Sequence, residues 1–181
     1  RRERGGAGDL DGAPTDARGG RGRLMTADYL ASQRYFEDVE TGDEFEVHQH
    51  PTTEHVLEFL NSTSNGRSPT GDGRFSSDAD ARRMGLERPI VPGTMSTAMI
   101  TRIVTDWMGP QGRIVSLDIS FRRPVLHNDE LRCLATVIDA GDDALEAGGP
   151  AVVKLDVVLE NDRGERPVQG TAEVELPRRA E

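Results

Sequence analysis

The sequence has one cysteine, one lysine and few aromatic residues. Cys133 stands alone, which excludes an intrachain disulfide and leaves no thiolate set for a structural metal. Lys154 is the only lysine, so arginine supplies almost all the positive charge, and that charge is in deficit. Lys and Arg number 22 against 32 Asp and Glu, for a net charge of −10. Such a balance argues against a nucleic-acid partner, whose phosphates need basic stripes, and against an anionic membrane surface. It leaves room for a coenzyme A ester, because a few local arginines can neutralise its phosphates. No apolar run approaches the roughly 20 residues of a membrane span, and no apolar signal core stands near the N-terminus. The expectation is a soluble cytoplasmic protein. Apolar residues make up only 35 % of the chain, so part of it is expected to stay outside any core.

That part is the N-terminus. Residues 1–24 are mostly Gly, Arg, Asp and Ala, and cannot bury enough apolar surface to offset the entropy of ordering them. We expect a disordered tail over 1–34, with Met25 a candidate for the true start, and one domain over 35–178. An arginine-rich arm for an acidic partner is the weaker reading of this tail, since acids and glycines interrupt it.

From Tyr35 the pattern changes. Thr41-Gly42-Asp43 signals a turn, and Phe45-Glu46-Val47 alternates as a strand does. Val56, Phe59 and Leu60 recur at helical spacing over 53–62, with Thr53 as the expected N-cap. Residues 63–77 carry only loop chemistry, and a loop of that length is usually functional or disordered. A short helix follows and ends at Gly85. After Pro92-Gly93 comes a helix, about 93–108, with Ser96, Ile100, Ile103 and Trp107 on one stripe, widened by Met95, Met99 and Val104. It is apolar nearly all round, so it should be largely buried. Gly109-Pro110 stops it.

The remainder reads as four strands. Val115, Leu117, Ile119 and Phe121 alternate with Ser116, Asp118, Ser120 and Arg122 in the first, and Asp162-Arg163-Gly164 turns the last two into a hairpin. One buried helix followed by long antiparallel strands predicts an α+β domain, a single antiparallel sheet wrapped around a central helix. Such a sheet has exposed edges, which predicts edge-to-edge dimerisation.

Three stretches then resemble one known family. YFEDVETGDEF (35–45), ARRMGLERPIVPG (81–93) and FRRPVLHNDEL (121–131) stand in the order found in MaoC-like dehydratases, the (R)-specific enoyl-CoA hydratase group. The third stretch resembles that family's F-x-x-P-V-x-x-G-D-x-L strand, with Asn128 in place of the glycine. The closing strands fit as well. The resemblance spans roughly 35–177 and implies a hotdog fold, an acyl-CoA or acyl-carrier thioester as ligand, hydratase or dehydratase (lyase) chemistry in fatty acid metabolism, and no cofactor. It also implies a homodimer, or a heterodimer with another hotdog subunit.

The family's catalytic loop reads G-D-x-N-P-x-H, and its helix is introduced by H-G. Here no histidine occurs between His55 and His127. Without gaps, Phe75 falls at the histidine and Thr70 at the aspartate. Aligning Gly71-Asp72 with the G-D pair keeps the acid as Asp72 and puts Ser77 at the histidine. Pro92 replaces the histidine of H-G, and Gly93 remains.

The candidate residues follow. Asp72 is the candidate base, against its reading as a plain turn aspartate. Asn65 could orient a water, although Asn-Gly is more often a turn. Gly93, Thr94 and Ser96 could present free N–H groups to a thioester oxygen, as any helix start can. Arg122, with Arg123, could meet phosphates. The imidazoles of His48 and His50 lack a third ligand, so no metal site is expected. His55 and His127 read as surface residues, and Cys133 as a small core residue. Two functional readings compete: a divergent hydratase/dehydratase, and a non-catalytic acyl-CoA-binding subunit paired with an active partner. A hotdog thioesterase is a further alternative.

Overall fold

We describe a computed structural model of the chain over residues 33–63, 73–141 and 151–179. Of the tail expected over 1–34, residues 1–32 lie outside those described, as do Asn65, Thr70 and Asp72, while Gln33 and Arg34 hydrogen-bond to the Met108 carbonyl. Five strands form one antiparallel sheet in the order β1 (Glu44–Gln49), β3 (Leu131–Asp139), β4 (Val152–Asn161), β5 (Val168–Glu175) and β2 (Arg113–Phe121). Helix α3, Gly93–Met108, lies against this sheet and touches all five strands. This is the α+β hotdog arrangement, with the helix where the apolar spacing put it. Two shorter helices, α1 (Thr53–Thr63) and α2 (Asp78–Arg83), precede α3. No helix among the described residues is long and apolar enough to cross a membrane.

Period-two alternation turns every second side chain of β4 and β5 onto the helix. Val153, Leu155, Val157 and Leu159 meet Val168, Ala172 and Val174 there, all fully buried, together with Ile100, Ile103 and Val104 of α3. Cys133 joins the same layer, and burial pushes its thiol up to about 12. At the far end of α3, Trp107 stacks on Phe45 of β1 with ring centroids 4.9 Å apart. Together these contacts fix the position and tilt of the helix.

Three local expectations are corrected. The cap of α1 is Thr52, whose hydroxyl accepts from the backbone N–H of His55 at 3.1 Å; the N–H of Thr53 goes instead to the Asn128 side chain at 3.2 Å. In β2 the simple alternation fails at Val115. A bulge between Ile114 and Ser116 turns Ile114 toward the helix and leaves Val115 45 % exposed, because the extra residue has no partner on β5. Nor is α3 buried all round. Thr94, Ala98, Arg102 and Asp106 form an exposed stripe at spacing four, since the sheet covers the helix from one side.

Candidate functional site

The first turn of α3 opens onto a cleft of about 320 Å³, walled by Ile90, Gly93, Ser96, Phe121, Arg122 and Pro124 among others. Pro92 is the N-cap and offers no side-chain acceptor. Its carbonyl takes the N–H groups of Met95 at 2.9 Å and Ser96 at 3.1 Å. The N–H groups of Gly93 and Thr94 therefore find no partner among the described residues. Two orphan donors at the positive end of a helix dipole form a receptor for an oxygen carrying negative charge. Ser96 is almost wholly buried, yet its hydroxyl makes no hydrogen bond among the described residues and lines the same cleft.

Gly93 is required neither by backbone nor by packing. It does not adopt positive φ, and a methyl group added to it would meet the Phe121 ring at 3.5 Å, an ordinary contact. What its missing side chain leaves is open space beside the orphan donors. Phe121, the last residue of β2, faces that space and is 52 % exposed.

The opening is held in shape by the pairing of residues 88–92 with 124–129. Val91 donates to the Val125 carbonyl at 2.8 Å and His127 to that of Pro89 at 2.9 Å, and Ile90 bridges Leu126. Asp129 pins the pair. Only 1 % exposed, it accepts from the Leu126 N–H at 3.0 Å and meets Arg88 at 2.9 Å and Arg163 at 3.4 Å, while Arg88 also donates to the His127 carbonyl. Asn128 completes the turn at φ 61°, a left-handed conformation that asparagine tolerates better than most residues. Its side chain also reaches Thr53 and so anchors α1, which a glycine could not do.

His127 is a correction. Expected at the surface, it is 1 % exposed, with Nδ1 3.3 Å from the Thr53 hydroxyl and Nε2 without a hydrogen-bond partner. Burial pushes its pKa below the usual histidine value. The carbonyls of Ile90 and Phe75 and the carboxylate of Asp78 pull the other way and are outweighed. The imidazole is walled off in its own turn, because the strand end it sits on folds inward under Pro89 and Ile90.

Of the two alignments of the catalytic loop, only the residues at the histidine position, Phe75 and Ser77, lie among the described residues. Phe75 ends a 3-10 turn, Gly73–Phe75, and stacks under the Arg74 guanidinium at 4.7 Å. Ser77 caps α2, its hydroxyl accepting from the Asp80 N–H at 3.2 Å. Neither is an acid or base. Of the proposed ligand-binding residues, the structure brings Gly93, Ser96 and Arg122 onto one cleft and leaves the Thr94 side chain exposed beside it. Arg123 also lines that cleft while its guanidinium meets Glu165 at 3.3 Å, whereas His48 meets Glu46 at 3.7 Å and His50 meets Glu130 at 2.9 Å, away from it. Phe121 and the Arg88–Asp129 pair were not anticipated as parts of the site. The opposite charges of Arg88 and Asp129 lie 41 residues apart, a separation no local pattern reports.

No protein-family model and no curated protein matches the sequence. Solved structures do match it. An (R)-hydratase from A. caviae involved in PHA biosynthesis is 22 % identical over 78 % of this chain and 99 % of its own, with a TM-score of 0.65. The ChsH1-ChsH2 complex from Mycobacterium tuberculosis gives 19 %, 76 %, 98 % and 0.62 for the same quantities, and the MaoC-like dehydratase from Rhodospirillum rubrum 21 %, 82 %, 99 % and 0.59. At such identities the likeness establishes the shared hotdog fold.

Proposed function

We propose that this chain is a divergent MaoC-like hotdog protein that binds an acyl thioester at the start of α3, and that it works as a subunit beside a second, catalytically equipped hotdog chain. The observation that carries the reading is the uncapped turn at Gly93 and Thr94. Two free N–H groups open on a cleft whose described walls hold no aspartate, glutamate or histidine.

The chemistry explains the division. In hydration, the water oxygen bonds to the β-carbon of an enoyl thioester while the C=C π pair shifts toward the carbonyl, and the α-carbon then takes a proton. Donors at Gly93 and Thr94 would stabilise the charge that gathers on the thioester oxygen, a contribution of roughly 10²–10³ in rate for one such donor. Moving the protons takes a positioned acid and base, worth about 10²–10⁴ more. Guanidinium groups such as those of Arg122 and Arg123 do not exchange protons under working conditions. The cleft therefore has the parts for binding and polarisation. The proton carrier would have to come from another chain, or from Asp72, with Asn65 a candidate to orient the water. The heteromeric reading is supported by the likeness to ChsH1-ChsH2, a complex of two named chains. A hydratase acting alone on Asp72 is the second reading, favoured by the surviving Gly71-Asp72 pair.

The test uses the purified full chain with a panel of enoyl-CoA thioesters. We expect no loss of the conjugated-thioester absorbance, together with a rise in Tm on adding acyl-CoA that Gly93→Val removes. Turnover by the chain alone, abolished in Asp72→Asn with Tm nearly unchanged, would replace the subunit reading with the hydratase. Neither turnover nor a Tm shift would sink both.

A further inference from the structure

The face of the sheet turned away from α3 carries a second cleft, of about 340 Å³, at the β4–β5–β2 end. Register places its side chains in rows across the strands. Asp156 and Thr171 lie in one row, which Asp118 of β2 continues beyond the cleft wall; Val158, Gln169 and Ser120 lie in the next, and Arg122 and Arg166 beyond them. At several other places on this face charges are met across neighbouring strands. Arg132 pairs with Glu46 at 2.6 Å, Arg113 with Glu175, and Ser116 with Glu173 at 3.1 Å. In the cleft most are not. No side-chain hydrogen bond or ion pair engages Arg122, Ser120, Gln169, Thr171 or Asp156 among the described residues, and Arg166 uses only its Nε, on Glu160 at 3.3 Å.

Five unengaged polar side chains around one cleft form a set that a ligand could satisfy. The set is dipolar. At one end two guanidiniums, with the Ser120 hydroxyl and the Gln169 amide, suit the tetrahedral oxygens of a phosphate, which arginine grips with paired N–H donors. At the other, the Asp156 carboxylate and Thr171 hydroxyl suit hydroxyl donors, the way a carboxylate takes the hydroxyls of a ribose. Two residues along a strand separate adjacent rows by about 6.6 Å, the reach of a sugar phosphate. Val158, almost fully buried, floors the middle.

We propose that this outer cleft binds the phosphate ester of a polyol, with the phosphate at Arg122 and Arg166 and the hydroxyls at Asp156. Such a group could be the phosphorylated end of a thioester carrier, since Arg122 also walls the α3 cleft, or a separate phosphorylated metabolite. The site itself stands on the outer-face geometry and needs no thioester.

Calorimetric titration of the full chain with ribose 5-phosphate and with inorganic phosphate tests it. Saturable binding of ribose 5-phosphate is expected, weakened at least tenfold by Arg166→Ala. Asp156→Asn should weaken ribose 5-phosphate but leave inorganic phosphate unaffected. Arg166 is exposed and Asp156 half-buried, and unchanged melting curves confirm the fold of each variant. Absence of binding at millimolar ligand, or binding indifferent to both substitutions, overturns the proposal. Acyl-CoA then distinguishes the sources. Competition with ribose 5-phosphate, together with a loss of acyl-CoA affinity in Arg166→Ala, assigns the site to the thioester carrier. Independent binding of the two assigns it to a separate metabolite.

Discussion

His127 shows how one residue's surroundings reverse its expected role. In the sequence it sits between an apolar strand and a polar Asn-Asp pair, where an exposed turn is the natural reading. In the fold the turn tucks inward and the ring is sealed beneath Pro89 and Ile90. Because burial holds its folded-state pKa below the unfolded value of about 6.5, the folded chain binds fewer protons than the unfolded chain in that range. The stability contributed by the neutral ring is thus complete above pH 6.5 and is lost as pH falls through the depressed folded pKa. Thermal melts between pH 7.5 and pH 5 should show a fall in Tm that is smaller in His127→Gln. Parallel pH profiles for the two proteins would refute the assignment. The neighbouring Asp129 works through charge rather than burial alone. Asp129→Ala strands the Leu126 N–H and two arginines, and should cost on the order of 1–3 kcal/mol in urea unfolding.

At the scale of elements, α3 and the edge strand β2 matter most. The helix was legible because sixteen residues of strongly apolar periodicity lie between Pro92-Gly93 and Gly109-Pro110, signals that do not depend on distant contacts. Strands β3, β4 and β5 were legible for the same local reason. The bulge in β2 was not, since it exists only relative to β5, and a register is a property of two strands. Gly170 marks a close approach of those strands. A methyl group there would stand 2.0 Å from the Asp118 carbonyl oxygen and 2.7 Å from the Cα of Ile119. Backbone cannot give way as a side chain end can, so Gly170→Ala should destabilise by about 1–3 kcal/mol and lower Tm by several degrees. A wild-type melting curve for that variant would contradict the described β2–β5 register.

For the whole molecule, β2 is the open edge of the sheet beside the candidate site. Its helix-facing residues Ile114, Leu117 and Ile119 are only partly buried, unlike their counterparts on β4 and β5, and Phe121 stands half exposed at the mouth of the cleft. An uncovered apolar edge of this kind is where a second hotdog chain would pair. Under the subunit reading proposed above, the full chain alone is expected to sediment as a monomer; a concentration-dependent dimer would instead place a second copy of the chain on this edge.

Composition, periodicity and turn residues determined that this chain forms one sheet around one apolar helix, and residue order alone that no histidine stands between His55 and His127. These are properties of residue type and local order, readable one segment at a time. Only the tertiary structure decided that the first turn of α3 keeps two N–H groups free, that Phe121 and Arg122 are brought to them from 28 residues further along the chain, and that Asp129 locks the opening through Arg88. A binding cleft is made by the space between segments, and that space depends on which distant backbones pack together and in what register.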